Sequence, residues 1–189
     1  RGRSGERARL QAVAETALSR KRGGVVLLTG EAGMGKSRLV GALRSTLEEQ
    51  GRMQVWMGQN TDGATTSDAC VRAALRHGLG LHVITPNRYG ERIGATLDRF
   101  GVSAPWEVDA LTEYLSPGTS QPLLNSEEAH FALVERMLDR AAQDRPVALV
   151  LEDVHWGDGQ ALRLAEWLLS GRNERAPWLL VLTLRPELV

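Results

Sequence analysis

The sequence predicts an α/β fold, a three-layer sandwich in which a parallel sheet lies between helices on both faces. Short apolar runs at Gly24–Thr29, Val147–Leu151 and Trp178–Leu184 have the β-rich composition of buried strands, the first reading as a strand covered on both faces. Segments with helical spacing lie between the runs, so each strand returns to the sheet by a crossover and successive strands run parallel. All three runs end in polar groups suited to one ligand: a glycine-rich stretch from Gly30, the pair Glu152-Asp153, and Arg185. Ligands of such sheets bind beyond the carboxyl ends of the strands.

Taken in order, Glu6 to Ser19 carries Leu10, Val13, Ala14, Ala17 and Leu18 at helical period and ends at the turn Arg22-Gly23-Gly24. After the first strand, Leu39, Val40, Leu43 and Leu47 mark one face of a helix that Gly51 stops. Met53–Met57 reads as a second strand. Between Asn60 and Ser120 the pattern weakens to short helices at Asp68–Arg76, Tyr89–Phe100 and Glu107–Tyr114, read as a mainly helical insertion of about 60–120 in one core domain spanning 1–189. Asn125 with Glu128 forms a capping box for a helix whose stripe is Phe131, Val134, Met137, Leu138 and Ala141. Pro146 opens the third strand, Gln160 to Leu169 forms another helix, and Trp178–Leu184 is the last strand.

Bulk properties bound the function. The 189 residues, 42% hydrophobic, suit one domain with a real core. Lys and Arg number 23, and so do Asp and Glu, so overall charge draws the chain to neither nucleic acid nor an anionic membrane. The basic stretch Arg1, Arg3, Arg7, Arg9, Arg20, Lys21 and Arg22 reads as a solvated helix face. Cys70 is the single cysteine, which excludes an internal disulfide and suits a reducing cytoplasm; its helical surroundings read as a buried thiol, not a nucleophile. No apolar run approaches the ~20 residues of a membrane span.

Gly30-Glu31-Ala32-Gly33-Met34-Gly35-Lys36-Ser37 fits G-x-x-x-x-G-K-[ST] between a strand and a helix, the context a phosphate-binding P-loop requires. Glycines let successive backbone N–H groups converge on phosphate oxygens at a helix N-terminus. Lys36 adds a point charge, and the Ser37 hydroxyl can reach a magnesium ion bridging the outer phosphates. An acidic pair ending an apolar strand needs compensating charge, which a magnesium triphosphate supplies. Strand register favours Glu152 for the metal and Asp153 as the base that polarises the attacking water, although the shorter Asp suits either role, so the two are treated as a unit. Arg185 then reaches the γ-phosphate from the next strand. Asp158 reads as a helix cap rather than a catalytic group, and His155 as a hydrogen-bonding neighbour of the site.

Together with Gly2-Arg3-x-x-Glu6, the segments Leu28–Arg38, Leu149–Asp158 (LVLEDVHWGD) and Leu182–Glu187 (LTLRPE) resemble the AAA-type ATPase domain of bacterial STAND signal-transduction proteins, such as LuxR-type regulators and kinase- or cyclase-fused ATPases. The resemblance implies an ATP- and ADP-binding switch with Mg2+ and slow hydrolysis. It assigns the nucleotide to Gly30–Ser37 with Arg38, places Arg3 near the base or phosphates, and makes Arg185 a sensor-type arginine. It also implies partners within a longer chain, namely a lid, a winged helix and effector or sensor domains, with nucleotide-dependent self-assembly and no direct nucleic-acid contact by this domain. Ser4 stands where the family has an acid, and the chain stops before the expected fifth strand and lid. Three competing readings are an AAA ATPase acting on DNA as an origin-binding or loader protein, a small-molecule kinase, and a nucleotide-binding domain without turnover.

Overall fold

The computed structural model describes residues 4–60, 68–101, 104–116, 124, 126–156, 159–170 and 176–186. Four parallel strands, β1 (Gly24–Thr29), β2 (Gln54–Gln59), β3 (Val147–Glu152) and β4 (Trp178–Leu184), form one sheet in the order β1-β4-β3-β2. Its carboxyl ends therefore share one edge. Helices α1 (Ser4–Arg20) and α2 (Lys36–Glu49) cover one face. The opposite face carries α3 (Ala69–Gly78), α4 (Tyr89–Arg99), α5 (Pro105–Leu115), α6 (Glu127–Asp144) and α7 (Gln160–Ser170).

Strand alternation divides the core. Ala148, Val150, Leu179 and Val181 point at α1 and α2, whereas Val147, Leu149, Leu151, Leu180 and Leu182 point at the larger layer. Every residue of β3 and β4 is buried, which is why their sequences are apolar throughout instead of alternating. β1 meets helices on both faces, Val25 packing against one core and Val26 and Leu28 against the other, but the expectation that it is buried on both is corrected. β1 lies at the edge of the described sheet, no residue in it is fully buried, and Leu27 is 47% exposed. An apolar composition records what a strand can bury, not what lies beside it.

The helices of the 60–120 stretch contribute Cys70, Leu75, Ile93, Leu97, Leu111 and Leu115 to the same core as β3 and β4. α3 lies directly on β2: a Cβ added at Gly58 would fall on the Cys70 carbonyl, and one at Gly78 on the Trp56 ring. Cys70 is fully buried, and desolvation pushes its thiol up to about 11. Glu107 of α5 is buried too, paired with Arg136 and Arg140 of α6.

Gly51 follows the end of α2 with φ 61°, so the expected stop is a left-handed glycine. The capping assignment for α6 is corrected. Its N-cap is Ser126, whose hydroxyl accepts the Ala129 N–H at 3.2 Å, while Asn125 lies outside the described residues. β2 ends at Gln59 rather than Met57, because pairing with β3 continues to Glu152. Short 3-10 turns at Leu81–Val83, Pro86–Arg88 and Val154–Trp156 leave no periodicity to read. No described helix is long and apolar enough to cross a membrane.

Candidate functional site

The loop after β1 turns sharply because Gly33 and Gly35 adopt φ 76° and 80°, where a side chain is strained. Gly35 caps α2 without any side-chain acceptor, and the first turn of α2 carries no acidic residue. Its leading N–H groups and positive end are thus uncompensated by side chains, an arrangement that favours an anion. Lys36, only 9% exposed, folds back so that Nζ donates to the Gly30 carbonyl at 2.6 Å and the Glu31 carbonyl at 3.1 Å. The loop closes over its own lysine.

On β3, Glu152 is 8% exposed and faces the α2 side of the sheet, as Ala148 and Val150 do. Its Oε2 is buried and has no hydrogen-bond partner among the described residues. A buried carboxylate oxygen without a donor calls for a cation or a cation-bound water. Carboxylate and hydroxyl oxygens, the groups carried by Glu152, Asp153 and Ser37, are the donors magnesium takes.

Asp153 leaves the strand with φ 56°, unusual for a residue with a side chain. Two neighbours hold it there. Its N–H donates to Thr183 Oγ1 on β4 at 2.9 Å, and its Oδ2 accepts Gln59 Nε2 from β2 at 2.9 Å. The chain then makes the 3-10 turn in which Trp156 N–H donates to the Asp153 carbonyl at 3.1 Å. Arg185, the first residue after β4, lays its guanidinium over the Trp156 ring, with Cζ 5.2 Å from the centroid.

These strand ends enclose a cavity of about 370 Å³ lined by Ala32, Gly33, Gly35, Lys36, Ser37, Asp153, His155, Trp156 and Arg185. Of the residues expected from sequence, Gly30, Glu31, Met34, Arg38 and Glu152 do not line it. Gly30 and Glu31 act from behind by accepting the lysine, Met34 is 53% exposed, and Arg38 is exposed on α2. Arg3 and Asp158 lie outside the described residues. Sequence reasoning missed Gln59 and the part played by Thr183. Both are polar residues at apolar strand ends, and Gln59 is the register partner of Glu152. Another cavity, of about 300 Å³, opens at the far end of β2 beside His77 and Arg145, away from this edge.

A relative is known by sequence. An uncharacterized protein of Rhizobium meliloti (strain 1021) is 27% identical over 178 residues, covering 87% of this chain and 16% of that protein. The chain thus spans about a sixth of the length of the relative it matches. The AAA ATPase domain pattern matches residues 1–181, nearly the full length and ending within β4, and the chain belongs to that family, whose members bind nucleotide and act in general as ATPases.

Proposed function

We propose that this domain is an ATP-binding, slowly hydrolysing nucleotide switch inside a longer cytoplasmic signal-transduction or transcription-regulatory protein. The observation that carries the reading is the single cavity on which the glycine loop, Lys36, Ser37, Asp153 and Arg185 converge. The amides of Gly33, Gly35 and Lys36 would bind the phosphate oxygens. Lys36 would exchange the Gly30 and Glu31 carbonyls for phosphate, so the loop opens as the nucleotide enters. Ser37 and Glu152, with Asp153 nearby, would hold Mg2+, which neutralises charge on the outer phosphates when bound. Asp153 would take the proton of the attacking water, and Arg185 would stabilise the departing γ-phosphate charge.

Slow turnover has support in the site. Asp153 Oδ2 already accepts the Gln59 amide, so one carboxylate oxygen is committed to the protein before an attacking water arrives. The regulatory context rests on the motif resemblance and on a relative roughly six times longer, within which lid, effector and sensor domains would be the partners. Calorimetry with Mg-ATP and Mg-ADP, paired with a phosphate-release assay, tests the reading. The native chain should bind both nucleotides, and Asp153→Asn should keep ATP while losing release. Absence of binding overturns the proposal, and binding without any release in the native chain leaves a nucleotide scaffold.

A further inference from the structure

We propose that Trp156 is a positioning residue for Arg185, an indole platform that gives the cavity its preference for a nucleoside triphosphate over a diphosphate. The inference rests on the reading that the cavity holds a nucleotide and goes beyond it in naming what sets the choice.

Trp156 is 40% exposed, an unusual place for so large an apolar ring unless something uses it. The 3-10 turn fixes its backbone through the Asp153 carbonyl, and the His155 ring lies beside the indole at 4.9 Å between centroids, tilted by 37°. Arg185 sits on the indole well inside the ~6 Å range of cation–π attraction. Both residues line the same cavity as Lys36 and Ser37.

Guanidinium chemistry explains why this helps binding. Stacking uses the face of the group, whereas its N–H donors all lie in its plane. An arginine whose face rests on an indole would therefore keep its donors for an anion. Among the described residues Arg185 has no hydrogen bond or ion pair, and its contact there is the Trp156 ring. Arg136 provides the contrast. It stacks on Trp106 at 5.0 Å, but its charge is already answered by Glu107.

Holding a long side chain in place before binding removes the cost of ordering it afterwards. That gain reaches only a ligand long enough to touch Arg185, which on this reading is the terminal phosphate.

The test is calorimetric titration of the chain with Mg-ATP and with Mg-ADP, using Trp156→Leu, Trp156→Phe, Arg185→Ala and the Leu/Ala double variant. Leucine keeps apolar bulk and removes the π face, while phenylalanine retains a ring. Trp156→Leu should weaken ATP about three- to tenfold and change ADP less than about twofold, and Trp156→Phe should restore most of the loss. In the Arg185→Ala background the leucine change should have no further effect on ATP. Equal losses for ATP and ADP, failure of phenylalanine to rescue, or additive losses in the double variant would overturn the platform while leaving the nucleotide reading intact. A native chain that binds neither nucleotide overturns both.

Discussion

Removing the Lys36 side chain separates the loop-closing task that the structure gives to its ammonium group from the phosphate-binding task proposed for it. It donates to two loop carbonyls, at 2.6 and 3.1 Å, from a position only 9% exposed. Hydrogen bonds from a charged donor contribute about 1.5–3 kcal/mol, and part of that is offset because the charge no longer has to be desolvated. Lys36→Ala should therefore destabilise the free protein by about 2 kcal/mol, or roughly 4–8 °C in Tm for a domain of this size. The second task is phosphate binding. With Mg-ATP at 100 times the native Kd, the native chain should gain about 2.7 kcal/mol. If the variant binds ~100-fold more weakly, the same ATP concentration only equals its Kd, and its gain falls to about 0.4 kcal/mol. Thermal unfolding with and without Mg-ATP reads both quantities in one experiment. An undiminished ATP shift in Lys36→Ala would refute the phosphate role. Loss of that shift with no change in the free protein would refute the loop-closing role.

Further outcomes follow from the packing around the site. Gly58→Ala should cost about 1–3 kcal/mol or more in urea unfolding, because the new methyl meets the Cys70 carbonyl and, at 2.8 Å, the Ala74 nitrogen, backbone atoms that cannot step aside singly; a neutral result would show that α3 shifts freely on β2. Thr183→Val keeps the shape of a fully buried residue but leaves the Asp153 N–H without its acceptor. It should cost about 1–3 kcal/mol and reduce ATP turnover more than ATP affinity, measured by phosphate release beside calorimetry. Asp139, pushed up from 3.8 to about 6 by burial and secondarily by Glu135, binds its proton more tightly in the folded chain. Its contribution is complete below 3.8 and is lost as pH rises through about 6, so Asp139→Asn should gain on the native chain across that window and hold level above it. A gain of constant size at every pH would refute the assignment.

Periodicity made most of the architecture legible because the buried strands and the stripes of α2 and α6 are long, regular and apolar. The Gly30–Ser37 loop was equally readable, since its chemistry depends on consecutive residues. Strand order was not, because pairing joins residues far apart in sequence: Gly24 with Leu179, and Gln59 with Glu152. Nothing local tells β1 that it will lie at an edge with Leu27 half exposed. The Ser126 cap shows the same limit on a smaller scale, where neighbouring polar residues both suited the role and backbone geometry chose between them. Gln59 was invisible for a related reason. A glutamine ending a strand becomes informative only when the strand beside it is known to end in Glu152-Asp153.

The strand order also explains why Asp153 and the arginine line one cavity. β4 lies between β1 and β3, so Arg185 emerges between the glycine loop and Asp153, each one strand spacing of about 5 Å away. Asp153 occupies a left-handed conformation that costs about 1–3 kcal/mol unless its surroundings enforce it. The Thr183 hydroxyl and the Gln59 amide, from the strands on either side, supply hydrogen bonds of comparable total worth. Thr183 lies on β4, two residues before Arg185. Any ligand that draws Arg185 by pulling on the end of β4 therefore acts on the acceptor that holds Asp153, and a strained residue with few partners responds before the fully buried sheet behind it does. On the proposed function, recognition of the terminal phosphate and alignment of the carboxylate would be linked mechanically through one threonine, which is why Thr183→Val should affect turnover more than binding.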